Sequence, residues 1–268
     1  DWAPPRTVEY LDHLVARAHG VLYRSRGVDL AAGAKLLFQE VPQGIVADGC
    51  FRAAFIIFWT CFTASLALSA ARPDFAASLL GRDMLETMQE SFSGELEDRP
   101  LSSNMAMAGF YIQHNTSIGL RCFAAGLLFG VGGLFATVYN ALVLGATFGW
   151  MLGAPQQDTF YEFVAAHGPF ELTAIVLCAA AGMRLGFALV DTGGYDRVAS
   201  LQRAARRSGP VAGLAVLLFA AAAAIEAFVS PSGIGFAPKA VVSGLCSGML
   251  MFYFVMLGGL GDRRGDAA

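Results

Sequence analysis

Four stretches of this chain, residues 51–71, 167–190, 210–229 and 237–259, are overwhelmingly apolar, with one or two charges at most in each. Each runs for about twenty residues or slightly more, the length at which one helix crosses roughly 30 Å of hydrocarbon. Helices are the natural solution there, because hydrocarbon offers no water to satisfy open backbone groups. The composition points the same way: of 268 residues, 56% are hydrophobic and only 15% charged. A soluble domain carries nearer a quarter.

A fifth apolar stretch, residues 116–153, is too long for one ordinary span and sufficient for two tight ones. Charge placement bears on its path. Residues 72–115 carry three arginines against seven acids, and residues 154–166 carry Asp158 and Glu162 without a cation. Residues 191–208, by contrast, contain Arg197, Arg203, Arg206 and Arg207. By the positive-inside rule the acidic segments lie outside and the basic ones inside. Both ends of 116–153 then face outside, so the stretch enters and returns as two short spans or a re-entrant hairpin turning near 134–141. The expected fold is an all-α, polytopic transmembrane helical bundle with about six crossings, in the inner membrane, with both termini cytoplasmic.

Residues 1–50 read as an amphipathic helical arm, cytoplasmic or interfacial. Val8, Leu11, Leu14 and Val15 recur at helical spacing, and a second apolar run covers 28–39 before a break at Pro42-Gln43-Gly44. The bundle occupies 51–260. Within it the acidic extracytoplasmic segment is 72–115, with a short amphipathic helix at 79–92, and the hairpin is 116–153. Residues 261–268 form a cytoplasmic tail.

Glycines recur with four-residue spacing at Gly126/Gly130, Gly145/Gly149/Gly153, Gly182/Gly186 and Gly244/Gly248. Small residues on one helical face let backbones approach closely in lipid. A phosphate loop would need a strand and a following Lys-Ser/Thr, which these glycines lack. The net charge of −3 argues against nucleic acid as a partner. Five cysteines without a CxxC pair read as small buried hydrophobes.

The candidate functional residues are polar groups set in or beside apolar sequence, where each needs a partner, water or a job. They are His114, Asn115, Asn140, His167, Glu171 and Glu226. His167 and Glu171 share one helical face, and Pro169 marks the helix start. The pair reads either as a helix cap with an internal hydrogen bond or as an ion, proton or metal site. In the metal reading His114 joins His167 and Glu171 as the third ligand. Asn140 reads as a turn residue or one that satisfies a backbone group, and Glu226 either snorkels or faces the His167/Glu171 site. Arg121 could pair with Glu171 or Glu226, whereas Arg184 could simply snorkel. Nucleophile motifs are lacking: no GxSxG occurs, and Gly244-Leu245-Cys246-Ser247-Gly248 does not match the rhomboid-type protease motif. The sequence therefore points away from an enzyme, and beyond a possible metal it calls for no cofactor.

Several segments together resemble the stage II sporulation protein M family of polytopic membrane proteins. They are Phe110-Tyr111-Ile112-Gln113-His114-Asn115, Tyr139-Asn140 followed by Gly145, His167-Gly168-Pro169-Phe170-Glu171-Leu172, and Ile225-Glu226-Ala227-Phe228-Val229. Phe38-Gln39-Glu40-Val41-Pro42 resembles the family's stretch before the first span. One departure is Ala141, where the family often has glycine after the asparagine. The resemblance implies a membrane scaffold, since the eponymous protein brings peptidoglycan-degrading enzymes together. It also implies partners among membrane or envelope proteins, besides the bilayer and possible copies of itself. Relatives often accompany MoxR-type ATPases and RDD-type membrane proteins. The principal reading is thus a scaffold or assembly component in cell-envelope processes. The alternatives are a channel or transporter lined by the His/Asn/Glu cluster and, third, a metal-dependent membrane enzyme.

Overall fold

The computed structural model describes residues 29–94, 96–98 and 100–259. The expected helix around Val8–Val15 and the tail at 261–268 lie outside the described residues. The chain divides into two compact units, residues 1–36 and 37–268. Of the first unit the structure describes a short helix, α1 (Leu30–Lys35), whose N-cap Asp29 accepts from the Ala32 amide at 3.0 Å. A π-helical turn, Leu36–Glu40, follows in sequence.

The second unit is an all-helical bundle among the described residues. It begins with α2 (Val41–Ala47), which takes Pro42 into its first turn. The chain break therefore falls at Asp48 rather than at Pro42-Gln43-Gly44, because proline needs no amide hydrogen bond at a helix start. The Asp48 carboxylate accepts from the Cys50 amide at 2.8 Å and starts α3 (Gly49–Ala71). That helix stops at Arg72, whose extended backbone precedes Pro73 as sterics require. The acidic segment then folds into α4 (Pro73–Leu80) and α5 (Arg82–Ser91), separated at Gly81 with φ +82°. The single short helix expected at 79–92 is therefore two, because a left-handed glycine ends the first.

The longest departure from expectation concerns the hairpin. Its first arm, α6, runs Leu101–Gly126, so residues 101–115, expected in the acidic segment, belong to the same helix as the start of the hairpin. Its second arm is α7 (Val131–Met151). The chain turns over residues 127–130, not near 134–141, and Gly130 supplies the left-handed conformation at φ 79°. Asn140 sits inside α7 and takes no part in a turn.

After α7, a short helix α8 (Gln157–Ala165) packs Phe160 edge-on against Phe92 and Phe148. The Tyr161 hydroxyl donates to the Phe148 carbonyl at 2.7 Å, and burial pushes that phenol up to about 12. Helix α9 (Gly168–Phe187) is the central post, buried along most of its length. Helix α10 (Arg197–Phe228) begins well before the expected 210. Asp196 caps it through the Ala199 amide at 2.9 Å, and the helix continues through Pro210. The basic residues of 197–207 therefore extend a span rather than occupying a loop. Helix α11 (Phe236–Met251) continues as a π-helix, Phe252–Leu257, and presents Val241, Leu245, Met249 and Met256 outward.

Among the described residues five helices are long and apolar enough to cross a membrane: α3, α7, α9, α10 and α11 with its extension. Helix α6 is long enough, about 39 Å at 1.5 Å per residue, but Gln113, His114, Asn115 and Arg121 make it more polar.

Glycine sets the spacing between the posts. A Cβ on Gly126 would overlap the backbone of Gly182, and one on Gly186 would overlap the backbone of Gly126 and Gly130. Gly145 and Gly149 meet the α3 backbone at Phe62 and Leu66 in the same way. Ser65 seals that second contact by donating to the Leu142 carbonyl at 2.7 Å. The close-packing reading holds for these glycines. It does not hold for Gly244 and Gly248, where among the described residues a Cβ would meet nothing within 4 Å beyond its own helical turn.

Candidate functional site

Where α9 begins and α10 ends, the bundle gathers its polar residues. Pro169 lies in the first turn of α9, and the His167 carbonyl accepts from the Phe170 and Glu171 amides. The His167 side chain makes no capping bond. It reaches across to α10's C-terminal end, where its Nδ1 hydrogen-bonds Ser230 Oγ at 2.9 Å. The helix-cap reading of His167 therefore fails: proline and backbone bonds start the helix, and the imidazole joins two helices.

His167 Nε2 lies 3.6 Å from Glu171 Oε2, the one-turn spacing expected of an i, i+4 pair. Glu226 comes from the last turn of α10 and faces the same point. One ligand atom each from His167, Glu171 and Glu226 lies within 4.8 Å of the others. Asn115 of α6 completes the group, its Nδ2 donating to Glu226 Oε2 at 3.1 Å. Three of the four are buried, Asn115 at 3% exposure, His167 at 4% and Glu226 at 9%, while the Glu171 side chain keeps 20%. Glu226 thus faces inward rather than snorkelling.

Two of the six expected residues lie elsewhere. His114 is exposed and stacks on Phe110, with ring centroids 5.7 Å apart. Successive helical positions diverge by about 100°, so an inward Asn115 forces its neighbour outward. The metal set His114, His167 and Glu171 is accordingly corrected, and Glu226 stands in the place assigned to His114. Asn140 donates to the Ala136 carbonyl at 2.8 Å and lies 3.3 Å from Cys122 Sγ, satisfying its own helix and its hairpin partner. Of its two expected roles the turn fails, since the chain turns at residues 127–130, and the backbone-satisfying one holds.

The network continues through residues that the sequence reading passed over. Lys239, near the start of α11, has 0% exposure. Its Nζ donates to Glu162 Oε1 at 2.8 Å and to the Ser230 carbonyl at 2.9 Å. Ser230 therefore links His167 to Lys239. One signal was available: Lys239 is one of only two lysines, set at the head of an apolar run. Arg121 does not reach either glutamate; its Nε donates to the Ser117 carbonyl on an exposed face. At the opposite end of α9, Arg184 pairs with Asp48, which tethers the start of α3. It does not simply snorkel.

Chemically, the cluster offers one imidazole, two carboxylates and a carboxamide from three helices. Such a set can hold a proton or a divalent cation, or can simply join the helices. The described cavity of about 540 Å³ is separate. It is walled by apolar groups of α3, α9 and α11, including Phe55, Trp59, Leu172 and Phe254, and contains none of the cluster's side chains.

Comparison with known proteins matches the family model described as Stage II sporulation protein M to residues 50–231. No curated protein and no solved structure matches the chain. The matched region covers more than half of the sequence and contains Asn115, His167, Glu171 and Glu226. Together with five helices able to cross a membrane, it establishes that the chain is an integral membrane protein belonging to the stage II sporulation protein M family.

Proposed function

We propose that this protein is a scaffold or assembly component of cell-envelope processes, with the polar cluster as the joint that fixes three helices of the bundle. The supporting observation is the state of the cluster. Asn115, His167 and Glu226 are buried and tied to one another or to Ser230. A transport pathway would bring such groups to a water-filled cavity; the described cavity is apolar and lies beside them. Partners would meet the acidic helix α5, which presents Asp83, Glu86 and Glu90 outward.

The orientation that goes with this reading places the acidic α4–α5 segment outside the inner membrane and the arginines of 197–207 in the cytoplasm. With α6 counted beside the five apolar helices, the crossings number six and both termini are cytoplasmic.

The test combines crosslinking with reconstitution. A photocrosslinker at Glu86 should yield a discrete adduct with an envelope protein in living cells. Proteoliposomes of the purified chain should pass protons and potassium no faster than empty vesicles. Flux that the wild type supports and Glu226→Gln abolishes would replace the scaffold with the channel or transporter reading. The two adjacent carboxylates, Glu226 buried and Glu171 partly so, are what keep that second reading in view.

A further inference from the structure

We infer that His167, Glu171 and Glu226 form a site for one first-row divalent metal ion of the zinc type, which clamps the head of α9 to the end of α10.

Geometry is the first support. Donors held about 2.1 Å from a tetrahedral zinc stand roughly 3.4 Å apart. His167 Nε2 and Glu171 Oε2 already lie 3.6 Å apart, and all three donors fall within 4.8 Å of one another. Modest rotamer adjustment of Glu226, the last residue but two of α10, would close the set.

The second support is the shell behind the donors. A ligating histidine characteristically uses its other ring nitrogen in a hydrogen bond that fixes tautomer and orientation. Here Ser230 Oγ occupies Nδ1 at 2.9 Å. The tautomer that donates to Ser230 leaves the Nε2 lone pair directed at the carboxylates. Among the described residues the group facing Nε2 is the Glu171 carboxylate, at 3.6 Å, and His167 itself is buried. Glu226 is held likewise by Asn115 at 3.1 Å. Each of these two donors thus has its own anchor from another element.

Charge is the third. Two carboxylates stand together in an apolar bundle, and no Lys or Arg pairs with them among the described residues. Lys239 is committed to Glu162 and the Ser230 carbonyl, and Arg121 to Ser117. Buried charges persist only when paired or bound to metal. A dication with two carboxylates and a neutral imidazole is electrically balanced. The imidazole nitrogen favours zinc-like ions over calcium or magnesium, which prefer all-oxygen sets.

The inference stands apart from the scaffold reading, because metal content and ion flux are read in different experiments. The full chain, purified in detergent and stripped with a chelator, is reloaded with Zn²⁺ and dialysed. Elemental analysis should find about one zinc per chain in the wild type and in His114→Ala. Glu226→Gln and His167→Ala should fall to background. Gel filtration and circular dichroism show whether each variant is folded. As a check independent of any variant, Co²⁺ loaded into the wild type should give the intense visible bands of a tetrahedral site and be displaced by Zn²⁺. Wild type that retains no Zn²⁺ and gives no such spectrum overturns the site. So does a folded Glu226→Gln that retains metal fully, or loss of metal in a folded His114→Ala.

Discussion

Lys239 is the residue whose removal tests the polar end of the bundle most sharply. Its ammonium is wholly buried and makes two bonds, to Glu162 at 2.8 Å and to the Ser230 carbonyl at 2.9 Å. Lys239→Met keeps most of the side-chain volume, so the cost comes from the groups left behind rather than from a cavity. Breaking a buried pair by deleting one partner costs about 3–5 kcal/mol. Glu162 retains 23% side-chain exposure, so water recovers part of its solvation. The expected loss is therefore about 2–3 kcal/mol. Glu162→Ala should cost at least as much, since Lys239 has no route to solvent. The double variant removes both charges together and should fall short of the sum of the singles by about 1.5 kcal/mol or more. The assay is reversible unfolding in mixed micelles, with all four proteins measured under one condition. Additivity to within about 0.5 kcal/mol would show that the two groups are not coupled, and would refute the argument from burial.

Two further outcomes follow from the packing. Gly126→Val or Gly182→Val should destabilise the bundle by about 3 kcal/mol or more, because the new side chain meets backbone rather than a movable side chain. Gly244→Val and Gly248→Val, where space is open in the monomer, should stay within about 1 kcal/mol in the same unfolding measurement. For the asparagines, Asn115→Ala strips Glu226 of its buried donor and should cost about 1–3 kcal/mol. Asn140→Ala gives up bonds made mainly within its own helix and should cost less than half of that, a ranking that thermal unfolding reads directly.

How far the site could be read from the sequence depended on helical phase. Glu171 follows His167 by four residues, so their shared face was legible as soon as Pro169 marked the helix start. Glu226 and Ser230 share the same spacing, yet only the glutamate stood out, because a serine near a helix end is ordinary. His114 was misread for a local reason. Residues 72–115 read as an acidic segment outside the membrane, and outside a helix His114 and Asn115 could serve one site together. Once residues 101–126 are one helix, only one of two neighbours can face inward.

Membrane-length apolar runs, sparse charge and recurring glycines were enough by themselves to determine an all-helical membrane bundle with close helix contacts. Those properties depend on the solvent and on local spacing, both of which one dimension records. Which helices meet was decided only in three dimensions. The turn fell at residues 127–130, where Gly130 could take a left-handed backbone and Gly126 could lie against Gly182. That choice set the rotation of α6, put Asn115 rather than His114 against Glu226, and left Lys239 to satisfy Glu162 from 77 residues away. Burial of polar groups is a joint property of several helices, so their partners are settled when the helices pack and not before.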